Sequence, residues 1–402
     1  MNNYFESIDL TQNPFPSAAS GLGGILKDKA YIPDGLAHKI DAFYNRMSSN
    51  PHGVKIFPII GEYGSGKTAV LNGYLRFFFE ERNIKVIYFD NPGVEFYDLA
   101  DTLMRALGRY EFAKALWEMS KPYLDKKESQ PRLFEQSFDD YLSDLKKYED
   151  IYSATTKIQY VLKNELNLTD DDEVAAKIGK LIVETKKKTY FDAKDFAIRS
   201  DSLVPARQEA KFFSAIIKAI IKIYNVCGVA FLIDEFEEIA ISEIISKQKK
   251  YSYFTTMRRL VDFAEVENLW IAVSMTNDAK ATFVKENPAL WQRFSNKEDS
   301  TICLEPFDQG QIKEWLIWWL NRYRIKGKDS SHYNKPFPFQ NGFEEPFMQD
   351  ASRRVPRILV KSFFHVLAEA QQLSLEPEGF TAGFIDRVLD RIFATKKEVE
   401  SE

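Results

Sequence analysis

An α/β fold with a parallel sheet flanked by helices is what this sequence predicts, on three observations. Apolar runs of strand length alternate with segments of helical periodicity, the first run opens onto a glycine-rich loop, and a later run ends in two acids. At 402 residues, 45% hydrophobic and 14% aromatic, the chain can bury more than one core.

Residues 1–50 hold a proline- and glycine-rich lead, NPFPSAASGLGG, and then a helical pattern from Asp34 to Met47 with Leu36, Ile40, Phe43 and Tyr44 on one face. Val54, Ile56, Phe57, Ile59 and Ile60 read as a buried strand. Gly61 to Thr68 follows as GEYGSGKT, a complete G-x-x-x-x-G-K-[ST] phosphate loop, and Ala69 to Phe79 reads as the helix behind it. Ile84 to Phe89 is a second strand ending at Asp90, and Phe96 to Leu107 a helix. From about 108 to 205 the alternation stops, and charged segments such as DEVAAKIGKLIVETKKK predict a helical insertion. Ala210 to Tyr224 is a helix leading into the strand Val229 to Ile233; Leu269 to Met275 and Thr301 to Leu304 are further strands. Beyond 306 helical periodicity alone predicts a C-terminal helical lid, in which Trp315, Trp318 and Trp319 form a packed helix face. The expected organisation is a leading segment over 1–50, a core split into 51–107 and 206–305, the insertion over 108–205, and the lid over 306–402.

A phosphate loop works by aiming backbone N–H groups and the positive end of a helix at a polyphosphate. Gly64 and Gly66 permit backbone angles that side chains forbid, Lys67 reaches the β- and γ-phosphates, and Thr68 places a hydroxyl on Mg²⁺. Gly61, Glu62, Tyr63, Ser65 and Ala69 complete the candidate nucleotide-contacting stretch. Asp234 and Glu235 close the apolar run Val229 to Ile233, and acids at the carboxyl edge of a parallel strand face the ligand crevice. Asp234 suits the Mg²⁺ shell, directly or through water, and Glu235 suits a base that orients or deprotonates the attacking water. After the next strand Asn277 can contact the γ-phosphate or that water, or else cap a helix. Pro356 places Arg357 at a helix start, where a cation is unfavourable unless an anion lies nearby.

Composition bounds the partners. Two cysteines, Cys227 and Cys303, provide neither a disulfide framework nor a zinc cluster, and Cys227, in an apolar stretch, reads as a small buried thiol. The start MNNYFESIDL has no basic region before an apolar core, and no apolar run reaches ~18 residues, so the expectation is a cytoplasmic chain with no membrane partner. A net charge of −5 argues against an overall nucleic-acid footprint but leaves room for a local patch. Lys247, Lys249, Lys250, Arg258 and Arg259, interleaved with Tyr251, Tyr253 and Phe254, form one: they suit DNA, or equally a solvated helix whose aromatics lie in the core. Lys186, Lys187 and Lys188 suit an acidic partner or a solvated helix end.

Together these motifs resemble the AAA+ ATPases, within them the origin-recognition initiator clade and related transposition-regulator and phage-defence ATPases. Gly61 to Thr68 is similar to the family's Walker A, Phe231 to Glu235 to its Walker B, and Asn277 to its sensor 1. Arg293 in QRF resembles the arginine finger and Arg357 in VPRIL the sensor 2 arginine, with Arg354 the alternative; LEPF before a helix resembles the passage from core to lid. The resemblance covers 54–107 and 210–390, extends loosely over 13–60, and omits the insertion. It implies Mg²⁺-dependent ATP hydrolysis coupled to assembly of a homo-oligomer, ring or spiral, with Arg293 acting in trans and Arg357 reporting γ-phosphate occupancy to the lid. The process it implies is DNA-associated or antiviral defence; the alternative is a signalling or scaffold ATPase that recruits a protein effector through 108–205 without binding DNA.

Overall fold

The structure is a computed structural model that describes residues 4–17, 29–49, 52–94, 96–128, 136–148, 150–187, 205–243, 245–262, 268–295 and 301–399. Five strands form one sheet: β1 (Val54–Gly61), β2 (Ile84–Phe89), β3 (Gly228–Ile233), β4 (Leu269–Met275) and β5 (Ile302–Leu304), in the order β2-β3-β4-β1-β5. The β2–β3 and β3–β4 pairs are parallel, with Ile84 opposite Gly228 and Ile233 opposite Val273. A parallel pair cannot be closed by a tight turn, so the chain returns between strands through helices. β3 and β4 are buried along their whole length, which is why their sequences run continuously apolar and do not alternate. The protein is mixed α/β, its sheet flanked by helices.

The chain divides into two compact units. One gathers Met1–Ile40, Ile60–Tyr74 and Cys303–Glu402. Its core is built on the helices Gln309–Arg322, Pro356–Gln372 and Ala382–Val399, the first opened by a capping box in which Asp308 and Gln311 each satisfy the other's backbone N–H. Phe15, from the leading segment, seats its ring 5.7 Å from Trp315 and 5.5 Å from Phe363. Trp315 is buried, as the packed-face reading of the three tryptophans requires, and Trp319 packs partly buried against the same core.

The other unit gathers Asp41–Ile59 and Leu75–Ile302. In it the segment read as an insertion holds the helices Arg109–Glu128, Phe138–Tyr148, Ile151–Asn164 and Asp172–Val183. Gly179 marks a close approach between the last two: a Cβ there would stand 3.1 Å from the Thr155 carbonyl oxygen, so a side chain would force the helices apart. Asp171 caps its helix by accepting from the backbone N–H of Glu173 and Val174. The lysine run is partly engaged here, since Lys186 Nζ donates to Ser143 Oγ at 2.8 Å, while Lys188 lies outside the described residues.

The helix expected after the phosphate loop is present with a different winding, and the reading of Cys227 is corrected. The segment after the phosphate loop is π-helical over Ala69–Leu75 and becomes α-helical only at Arg76–Glu80. Apolar spacing alone does not separate these, because both bury one face. Cys227 is exposed, as is Cys303. It occupies the turn between the helix Pro205–Tyr224 and β3, and the fully buried apolar run begins only at Gly228. Among the described residues no helix is long and apolar enough to cross a membrane.

Candidate nucleotide site

The phosphate loop belongs to the first unit and leaves β1 with the backbone its glycines permit. Gly64 and Gly66 have φ of +84° and +95°, where an L side chain is strained. The loop closes on itself: Lys67 Nζ, almost fully buried, donates to the Gly61 carbonyl at 3.1 Å, and Val70 N–H donates to Gly66 O at 2.9 Å. The Ser65 hydroxyl is also buried, and among the described residues it has no hydrogen-bond partner. A buried hydroxyl without a partner is costly, so an acceptor or donor from outside the chain would satisfy it. Glu62, Tyr63 and Thr68 are exposed.

Arg357 is beside this loop. Its backbone N–H donates to Gly64 O at 3.2 Å, and its guanidinium stands 4.6 Å from the centre of the Tyr63 ring, a cation–π distance. Arg354, the alternative, is held elsewhere: its Nη1 donates to Phe307 O at 3.1 Å and its own carbonyl accepts from Phe307 N–H.

The acids belong to the second unit. Asp234 is buried at the end of β3, where Tyr88 O–H donates to its Oδ2 at 3.0 Å and Ser274 O–H donates to its Oδ1. The Glu235 backbone N–H donates to Asp234 Oδ1 at 3.1 Å and to Ser274 Oγ at 3.2 Å. Glu235 itself has φ of +50°, a left-handed conformation that a non-glycine residue adopts rarely and often at functional sites. Partial burial pushes the Glu235 carboxyl above the usual range, helped by a hydrogen bond to Glu238 and by the charges of Glu238, Asp234 and Glu237. Burial beside the Asp234 carboxylate pushes the Tyr88 phenol up as well.

A raised carboxyl loses its charge at a higher pH than an ordinary glutamate, so any reaction needing the Glu235 carboxylate should fall away early on acidification. Glu238→Gln removes one raising charge and leaves an amide that can donate to the carboxylate, so the acid limb of a turnover–pH profile should move to lower pH. An unmoved limb would separate Glu235 from that limb.

The other predicted residues are placed differently. The helix Asn277–Glu286 is capped by Thr276, whose Oγ1 accepts from Ala279 N–H at 3.2 Å, so Asn277 is the exposed first residue and not the cap. Arg293, on the helix Pro288–Phe294, forms an ion pair with Asp262 and donates to Ala289 O at 2.6 Å. Of the basic patch, on the helix Lys247–Asp262, Arg258 lies 3.6 Å from Asp262 and Lys250 Nζ donates to Ala240 O. Tyr253 and Phe254 are buried around Phe236, as the alternative of an amphipathic helix with its aromatics in the core requires. Tyr251 remains exposed.

Ser274, Tyr88 and Glu238 are the contributors that motif reasoning passed over. Ser274 carries a legible signal, a hydroxyl inside a strand otherwise apolar from Leu269 to Met275. Buried hydroxyls are kept for their hydrogen bonds.

No family model and no curated protein matches the chain. Among solved structures, the Aeropyrum pernix ORC2 protein, in ADPNP-ADP complexes, is similar over 92% of this chain and 72% of that one, at 10% identity and a TM-score of 0.39. At that distance the functional reading depends on this chain's own residues.

Proposed function

We propose that the protein is a Mg²⁺-dependent ATPase of the AAA+ kind. The observation that carries this is the loop Gly61–Thr68, with two left-handed glycines, a buried Lys67 and a buried Ser65 hydroxyl lacking a partner among the described residues. These features suit a polyphosphate, which offers several acceptors to N–H, ammonium and hydroxyl donors at once. When bound, MgATP supplies the electrophilic γ-phosphoryl group and the cation that neutralises its charge. Lys67 and the loop N–H groups would hold the phosphates and Thr68 would offer its hydroxyl to the cation; on the second unit Asp234 would enter a cation's shell, directly or through water, Glu235 would orient the attacking water, and Asn277 would help to hold it. Arg357, packed on Gly64, would sense the γ-phosphate, and Arg293 would serve the nucleotide of a neighbouring copy by exchanging Asp262 for phosphate.

The process we attach to this cycle is a DNA-associated or antiviral-defence one in a homo-oligomer, supported by the exposed Lys247 and Lys249 beside exposed Tyr251. Recruitment of a protein effector through the insertion is the second reading, favoured by exposed Tyr152 and Tyr160 lining a cavity of about 530 Å³. DNA-stimulated turnover with an increase in mass would support the first, and indifference to DNA the second.

Equilibrium ATP binding tests the core of the reading. Removing the Lys67 ammonium should weaken ATP binding by about 1.5–3 kcal/mol, roughly 10- to 150-fold, the size of a hydrogen bond to a charged group. An unchanged Kd for Lys67→Ala would overturn it.

A further inference from the structure

We infer that Ser274, with Tyr88 in support, is a positioning residue that sets Asp234 and Glu235 as one unit for hydrolysis, an inference that rests on the ATPase reading above. β4 is buried from end to end and Ser274 within it is fully buried, so its hydroxyl is committed to whatever it bonds. Both of its hydrogen bonds go to the acid pair. It donates to Asp234 Oδ1 and accepts from the Glu235 backbone N–H at 3.2 Å. Its own carbonyl accepts from Phe236 N–H at 3.0 Å, so three consecutive residues, Asp234, Glu235 and Phe236, are anchored to one side chain and its backbone.

The sheet explains why this residue can do so. The parallel register sets Ile233 opposite Val273, which brings Asp234 and Ser274 side by side at the carboxyl ends of their strands. Asp234 is fixed from the other flank by Tyr88 on β2, which donates to Oδ2, while Asp234 N–H donates to Phe89 O at 2.9 Å. Oδ1 thus accepts from both Ser274 and the Glu235 N–H, and Oδ2 accepts from Tyr88, so the carboxylate is oriented through both of its oxygens. The left-handed turn at Glu235 then stands on two acceptors, Asp234 Oδ1 and Ser274 Oγ. A non-glycine residue keeps such a conformation only where its surroundings over-determine it. Ser274 supplies part of that determination and aligns the water-orienting carboxylate with the cation-holding one.

Steady-state ATP hydrolysis, ATP binding and Mg²⁺ titration of Ser274→Ala, Ser274→Thr and Tyr88→Phe test this. Ser274→Ala should lower kcat by about 10- to 100-fold, the cost of a small misplacement of catalytic groups, while the ATP Kd stays within about threefold and half-saturation moves to higher Mg²⁺. Ser274→Thr keeps the hydroxyl and should recover most of the lost kcat. Tyr88→Phe leaves the Glu235 contact intact, so it should raise the Mg²⁺ requirement with a smaller loss of kcat. Should Ser274→Ala not fold, Ser274→Cys, close in size and a poor donor, takes its place with the same expected loss. Parental kcat in Ser274→Ala, or equal impairment of the Ala and Thr variants, would overturn the inference while leaving the ATPase reading intact. A parent protein with no Mg²⁺-dependent turnover above that of Glu235→Gln would overturn both.

Discussion

Glu235→Gln is expected to stop turnover while leaving ATP bound. Gln matches Glu in size and reach but cannot act as a base and orients water poorly, so kcat should fall by about 10²- to 10⁴-fold, the usual contribution of a positioned general base. The backbone of residue 235 makes the anchoring bonds to Asp234 and Ser274, and these survive a change of side chain. The left-handed turn should therefore persist, with a melting temperature close to the parent's. Losing the carboxyl also removes a group whose ionisation is already disfavoured by burial and by Glu238, so the variant should retain ATP affinity. Turnover and equilibrium binding measured side by side decide it. Parental turnover in Glu235→Gln would end the assignment of this residue, and a joint loss of binding and turnover would make its role structural.

The parts of this molecule that local chemistry dictates were legible in the sequence. β2 at Ile84–Phe89, β4 at Leu269–Met275 and the helix Phe96–Leu107 have the bounds their apolar patterns predict, because polar or turn-forming residues bracket each pattern. The phosphate loop was legible for the same reason, since two glycines at fixed offsets and a following Lys–Thr answer to backbone angles and not to distant partners. What stayed hidden depends on residues far apart in the chain. Ser274 is meaningful only because β3 pairs with β4, and Asp262 becomes the partner of Arg293 across an interval of 31 residues. Composition could not decide between Arg354 and Arg357, three positions apart; the Phe307 carbonyl takes one, and the loop carbonyl at Gly64 binds the backbone of the other. The basic–aromatic stretch was ambiguous for a related reason. An amphipathic helix interleaves core and surface residues in sequence, and only the fold shows that Tyr253 and Phe254 face inward while Tyr251 does not.

The second large effect is expected at Gly64, where two separate costs meet. A side chain there must adopt φ of +84°, and its Cβ would also stand 3.0 Å from Arg357 Cβ and 3.3 Å from its Cδ. Left-handed strain in a non-glycine residue is worth about 1–3 kcal/mol, and relief of that strain by distorting the loop would weaken ATP binding by roughly 5- to 150-fold. Valine is the sharper test than alanine because its branched Cβ tolerates a left-handed backbone least. Gly66→Val separates the two costs: Gly66 is equally left-handed at +95°, but its nearest neighbour, Pro356 Cγ, stands at an ordinary 3.6 Å. Gly64→Val should therefore lose more ATP affinity than Gly66→Val. Equal losses at the two glycines would assign the whole effect to backbone strain. An ATP Kd for Gly64→Val within about twofold of the parent's would mean that the loop does not grip the nucleotide through this backbone, since strain of the stated size must appear in binding if the loop has to keep its shape.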